Sequence, residues 1–277
     1  PLLLGLFAFG IGKAALMPFH RWLPAAMVAP TPVSALLHAV AVVKAGVFSV
    51  LKVTVYVFGL DLLRDFHTTD ILMYVAAATI LIASVVAMTK DNLKARLAYS
   101  TVSQLSYIVL GAMLASPLAI LGAAMHIVMH AFAKITLFFC AGGIMVASHK
   151  TEISEMRGLG WKMPLTMIAF LIGSLSLIGL PFLGGMWSKW YLLLGANESG
   201  HELVVAVYLL SGLLSALYLL PVCIHAFRRA PESESDVTWN ESPLPSLIAI
   251  VFVAMACFAL FWLAPALNAM LLPVVAG

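Results

Sequence analysis

Eight long apolar runs follow one another in this chain with short polar stretches between them, and few folds accommodate that pattern. The runs cover about Leu2–Met27, Val33–Phe58, Asp70–Met88, Leu97–Ala115, Leu118–Ala147, Pro164–Leu194, Leu203–Phe227 and Leu244–Leu272. A helix of about 20 apolar residues matches the thickness of bilayer hydrocarbon. Runs of that length, repeated along a chain that is 63% hydrophobic and only 10% charged, need lipid around them. The expected fold is an all-α polytopic membrane protein with about eight transmembrane helices. The short connections make residues 1–277 one membrane domain.

Two of the spans are interrupted. The first carries Pro18 and Pro24, and the sixth carries Gly179-Leu180-Pro181 followed by Gly184-Gly185. Proline inside a helix removes a backbone hydrogen bond and forces a kink or an unwound turn. Paired interruptions in corresponding segments point to a transport site near the bilayer midplane. Each break has a lysine beside it, Lys13 at the first and Lys189 at the second.

The fifth span contains the strongest polar signal. Its core, Gly122 to Ile144, reads GAAMHIVMHAFAKITLFFCAGGI. His126, His130 and Lys134 stand at i, i+4 and i+8, so a helix places them on one face. At about 1.5 Å rise per residue they mark a line roughly 12 Å long. Ionisable groups at that depth are costly and usually functional. His38 and Lys44 in the second span add to them. Every Asp and Glu lies in a loop or at a span edge, so the mid-membrane ionisable set is basic throughout: Lys13, His38, Lys44, His126, His130, Lys134 and Lys189. The proton affinity of lysine responds strongly to burial, and histidine titrates near neutrality. Such a row suits proton movement. It does not suit tight cation binding, because no buried carboxylate is at hand. Unpaired buried lysines are unfavourable, so a carboxylate partner is expected from elsewhere. The chain opens at Pro1 inside an apolar run, without an initiator Met, and is expected to continue a longer protein.

Other classes find little support. Cys140, Cys223 and Cys257 sit singly in apolar runs and read as small buried hydrophobes rather than metal ligands or disulfides. No Gly-rich phosphate loop and no basic nucleic-acid-binding segment is present. No cofactor is therefore expected in this chain. Lys90, Lys94, Arg96, Lys150, Arg157, Lys162, Arg228 and Arg229 fall in loops of one side, which the positive-inside rule makes cytoplasmic. His20 and His225 read as interfacial. Ser100, Thr101, Ser103 and Gln104 read as buried helix contacts that can also donate to a water wire.

Four motifs in order resemble the antiporter-like proton-translocating subunits of respiratory complex I, membrane-bound hydrogenases and multi-subunit sodium/proton antiporters. They are GKAALMPFHRWLPAAMVAPTPVSALLHAVAVVKAGVF (Gly12 to Phe48), LAYSTVSQLSYIVLG (Leu97 to Gly111), HIVMHAFAKITLFFCAGG (His126 to Gly143) and GLPFLGGMWSKW (Gly179 to Trp190). The resemblance implies a fold with two inverted five-helix repeats, of which this chain would supply helices seven to fourteen. It implies that Lys13 pairs with a glutamate on an earlier helix. It further implies that Lys134 is the central lysine of the second half-channel, that Lys189 is its exit residue, and that His126 and His130 lead to the centre. His38 matches the eighth-helix histidine, and Lys44 matches a lysine of several branches.

The function so implied is proton translocation within a redox-driven complex of the NADH-quinone oxidoreductase kind, with protons passing along His126, His130 and Lys134 and leaving by Lys189. Quinone, flavin and iron–sulfur centres would belong to partner subunits. The alternatives are a subunit of a multi-subunit sodium/proton antiporter and a non-transporting membrane scaffold for a soluble partner. Expected partners are other membrane subunits, the lipid bilayer and protons, with sodium under the second reading. The expected location is a bacterial-type inner membrane or an equivalent energy-coupling membrane.

Overall fold

A computed structural model describes residues 2–64, 67–228 and 239–276. Arg229 lies outside them. The first run begins as α1 (Leu2–Gly10) and then breaks. The chain passes through a 3-10 turn, Gly12–Ala14, and regains helical turns at Trp22–Ala25 and Ala26–Val28. The helix ends well before Pro18, so the interruption is wider than the prolines alone require. It is held from outside: Trp22 Nε1 donates to the Gly12 carbonyl at 2.8 Å.

The second run is helical from Thr31 onward, with a π turn at Leu36–Val40, then α2 (Val42–Val53) and a second π turn at Thr54–Phe58. There follow α3 (His67–Thr89), α4 (Leu93–Met113) and α5 (Pro117–Ser148). The sixth run is α6 (Pro164–Ile178) and α7 (Gly185–Glu198), and then come α8 (Glu202–Ala226) and α9 (Leu244–Ala276). Four of these, α3, α5, α8 and α9, are long and apolar enough by themselves to cross a membrane. With 32 residues, α5 extends roughly 48 Å at about 1.5 Å per residue, so its ends pass beyond the hydrocarbon.

The break in the sixth run has a local cause. Gly179 takes φ of 94° and its N–H caps the Leu175 carbonyl of α6, a left-handed ending that suits glycine. At the restart, a Cβ on Gly185 would collide with the Ser176 carbonyl oxygen. Gly184 N donates to the Cys257 carbonyl of α9 at 3.0 Å, which anchors the unwound segment.

Polar side chains cluster on α4 because that helix is wrapped by protein rather than lipid. Every residue from Ser100 to Met113 is buried. Lipid-facing apolar surface falls on the outer helices, as at Phe252, Trp262 and Met270 of α9. The two ends of the bundle differ in charge. The basic end is knitted by acidic caps: Asn92 Nδ2 donates to Glu152 at 2.8 Å, Ser154 Oγ donates to Asp91 at 2.6 Å, and Leu165 N donates to Glu241 at 2.7 Å. At the opposite end Ser116 Oγ donates to Glu198 at 3.2 Å, and Arg64 Nε donates to the Ala115 carbonyl at 3.1 Å.

Candidate functional site

α5 carries His126, His130 and Lys134 on its inward face, and all three are buried at 1%, 1% and 0% exposure. The i, i+4, i+8 spacing does what helix geometry demands. The His126 and His130 rings stand 5.9 Å apart, centroid to centroid. Lys134 Nζ donates to the Leu97 carbonyl at 2.9 Å and to Ser100 Oγ, both on α4. α2 adds Lys44, whose Nζ lies 2.5 Å from His130 Nδ1. The other His130 nitrogen, Nε2, has no hydrogen-bond partner among the described residues.

His126 is bonded at both nitrogens. Nδ1 meets Ser188 Oγ of α7 at 2.9 Å, and Nε2 meets Gln104 Oε1 of α4 at 3.2 Å. Its ring stacks on Tyr107, with centroids 5.6 Å apart and planes 17° from parallel. Lys189 closes the series. Its Nζ stands 4.9 Å from the Tyr107 ring centroid and donates to the Ile178 carbonyl at 3.2 Å. That carbonyl is one of those a helix end leaves without an intrahelical partner, so Lys189 also stabilises the break. A cavity of about 270 Å³ opens beside Lys189, lined by Tyr107, Gly179, Pro181, Trp190 and Tyr208 among others.

The structure thus brings together five of the seven residues singled out from sequence: Lys44, His126, His130, Lys134 and Lys189. Their order in space is not the order Gly122–Ile144 suggested. α5 starts at the opposite end and finishes at the basic end, so Lys134 stands nearest the basic side. His130 with Lys44 comes next, then His126, then Lys189. Lys13 stands apart. It sits in the 3-10 turn with its side chain exposed, and the α2 backbone packs against that turn so closely that a Cβ on Gly46 would lie 2.5 Å from the Lys13 carbonyl carbon. The backbone of His38 lies in the first π turn; its side chain is outside the described residues. Among the described residues no carboxylate lies within ion-pair distance of Lys44, Lys134 or Lys189. A bundle that retains two buried lysines and a half-buried third on those terms points to a use for them.

Three contributors were not singled out from sequence. Tyr107 provides the aromatic face shared by His126 and Lys189, Ser188 caps His126, and Tyr208 packs on Tyr107 at 5.0 Å. A signal for Tyr107 existed, since it follows Gln104 by three positions on the polar face of α4. Of the hydroxyl cluster, Ser100 and Gln104 join the site, whereas Thr101 bonds its own helix and Ser103 bonds Ser84 of α3 at 2.9 Å. His225 lies at the basic end against the Ser154 carbonyl, and His20 lies 6.2 Å from the Tyr99 ring.

Residues 2–215 match the family described as NADH:quinone oxidoreductase/Mrp antiporter, transmembrane. The chain is 41% identical over 220 residues to NADH-quinone oxidoreductase subunit N of Desulforudis audaxviator, covering 79% of this chain and 44% of that protein. It is 34% identical over 253 residues to subunit L of Pseudomonas aeruginosa, covering 89% and 40%. The chain therefore spans less than half the length of these relatives. Among solved structures, a chain of the Mrp complex from Dietzia superposes with a TM-score of 0.90 at 22% identity, over 99% of this chain and 59% of that one. A chain of respiratory complex I from Thermus thermophilus gives 0.75 at 27% identity over the same shares. The chain belongs to the NADH:quinone oxidoreductase/Mrp antiporter transmembrane family, and it is a helical, multi-pass membrane protein.

Proposed function

We propose that this family member moves protons across an energy-coupling membrane, such as a bacterial inner membrane, as an antiporter-like part of a redox-driven complex of the NADH-quinone oxidoreductase kind. The observation that carries the reading is the buried basic row. Lys134, Lys44 with His130, and His126, all buried, and then half-buried Lys189 lead from the basic end toward a cavity beside Lys189. Protons enter from the basic, cytoplasmic side, reach Lys134, and are passed through the histidines to Lys189. Lysine and histidine each hold and release one proton, and the hydroxyls of Ser100 and Ser188 stand against them as relays. The redox groups that drive transfer belong to partner subunits, and the named relatives are themselves subunits of quinone oxidoreductases.

The test is proton uptake into vesicles holding the assembled complex. Lys134→Ala is expected to lower flux at least tenfold while the complex still assembles. Unchanged flux with normal assembly would leave the chain a scaffold. A flux that requires sodium in the medium would move it to the sodium/proton antiporter branch.

A further inference from the structure

Behind His126 a ladder of buried polar side chains runs between α4 and α8. Gln104 Nε2 donates to Ser215 Oγ at 3.4 Å. Ser215 Oγ donates to the Ser211 carbonyl at 2.8 Å and meets the Tyr218 hydroxyl at 3.1 Å. Gln104, Ser211, Ser215 and Tyr218 are all fully buried, so no bulk water competes for these bonds.

We propose that Gln104 is a positioning residue that sets the tautomer of His126. A serine hydroxyl has one hydrogen and two lone pairs. Ser215 spends its hydrogen on Ser211, so it meets Gln104 and Tyr218 with lone pairs. The Gln104 amide must then turn its NH₂ group toward Ser215 and its carbonyl oxygen toward His126. This orientation follows from the network rather than from the identity of the amide atoms themselves. Nε2 of His126 consequently carries the hydrogen. Nδ1 is left bare, and the nearer demand on the Ser188 hydroxyl, 2.9 Å to Nδ1 against 3.1 Å to the Gly185 carbonyl, comes from the ring. His126 therefore holds its second proton at Nδ1, on the side bonded to Ser188 of α7. The hydrogen on Nε2 points at an amide oxygen that does not pass it on. Nδ1 is thus the nitrogen that delivers toward α7, and taking up a proton from the His130 side requires the ring to turn and the Gln104 bond to open, which makes His126 a gated store rather than a plain wire.

This inference rests on the proton-transfer reading for its purpose, but its decisive test does not. The protein in lipid, labelled with ¹⁵N in its histidine side chains, distinguishes protonated from bare ring nitrogens by solid-state NMR, with His126→Gln assigning the signal. The expected spectrum shows a protonated Nε2 and a bare Nδ1 at His126. Gln104→Leu and Ser215→Ala should each mix the tautomers, and Gln104→Leu should lower proton flux several-fold. A bare Nε2 in the unaltered protein overturns the proposal, and so does a tautomer that neither substitution disturbs. Full flux in Lys134→Ala would instead remove the transport reading and leave the spectrum to decide the tautomer.

Discussion

Lys44 Nζ and His130 Nδ1 meet at 2.5 Å, a contact that joins α2 to α5 across 86 positions of sequence inside the bundle. Among the described residues neither has a carboxylate within ion-pair distance, and each bonds the other. Replacing Lys44 with Met keeps most of the side-chain volume and removes the donor. His130 would then have both nitrogens unpartnered, since Nε2 already is. A buried polar group without a partner costs about 1–3 kcal/mol. Lys44→Met should lower the midpoint of thermal unfolding in detergent and cut proton flux. Combined with His130→Leu, the double variant should lose less stability than the two singles summed. Strict additivity would mean the two side chains do not interact.

The break in the sixth run should depend on Gly185. Its α-carbon faces the Ser176 carbonyl with no room for a methyl group. Overpacking of this kind costs about 1–3 kcal/mol, and here the obstacle is backbone, which cannot swing aside. Gly185→Ala should therefore destabilise the protein and displace α7, taking Ser188 and Lys189 from their partners. Gly212→Ala is the matched control, because among the described residues nothing lies within 4 Å of the added methyl. It sits within α8, where alanine is favoured over glycine by up to about 1 kcal/mol. Unfolding of both variants in detergent decides the point.

Much of this architecture was legible in the sequence, for a physical reason. Bilayer thickness sets the length of each run and helix periodicity sets its faces, so the row from His126 to Lys134 follows from sequence alone. Lys44 could be named but not paired, because its partner lies on another helix and no local rule links positions 44 and 130. The spatial order of the path was also hidden, since it depends on which end of α5 faces the basic side. Tyr107 and Ser188 were missed because a buried tyrosine or serine is ordinary inside a helical bundle. What marks them here is contact with His126. Lys13 was grouped with the others by its neighbouring break, yet its side chain is exposed on the described bundle.

Orientation in the membrane follows from loop charge and can be checked by labelling. All three native cysteines are buried, so the background against a membrane-impermeant thiol reagent should be low. Glu155→Cys places an exposed thiol at the basic end, and Asp61→Cys places one at the opposite end. In right-side-out vesicles only the Asp61→Cys protein should be labelled. In inverted vesicles only the Glu155→Cys protein should be. The reverse pattern would invert the direction of transfer proposed for Lys134 and Lys189.

Tyr107 should matter more for its ring than for its hydroxyl. The ring face stands 4.9 Å from Lys189 Nζ on one count and stacks on His126 on the other. Its hydroxyl makes a long bond, 3.4 Å, to the Tyr208 carbonyl and lies beside the Ser211 hydroxyl, both on α8. A cation over an aromatic face gains about 0.5–2 kcal/mol, the larger figure when water is excluded. Tyr107→Leu removes that attraction, along with the plate that holds the imidazole, and opens space beside the cavity at Lys189. Proton flux in Tyr107→Leu should fall several-fold or more, since each 1.4 kcal/mol corresponds to about a factor of ten. Tyr107→Phe keeps the ring and should lose clearly less. Equal losses in the two variants would shift the role to the hydroxyl and its bond to α8, and the stacked ring would then be packing alone.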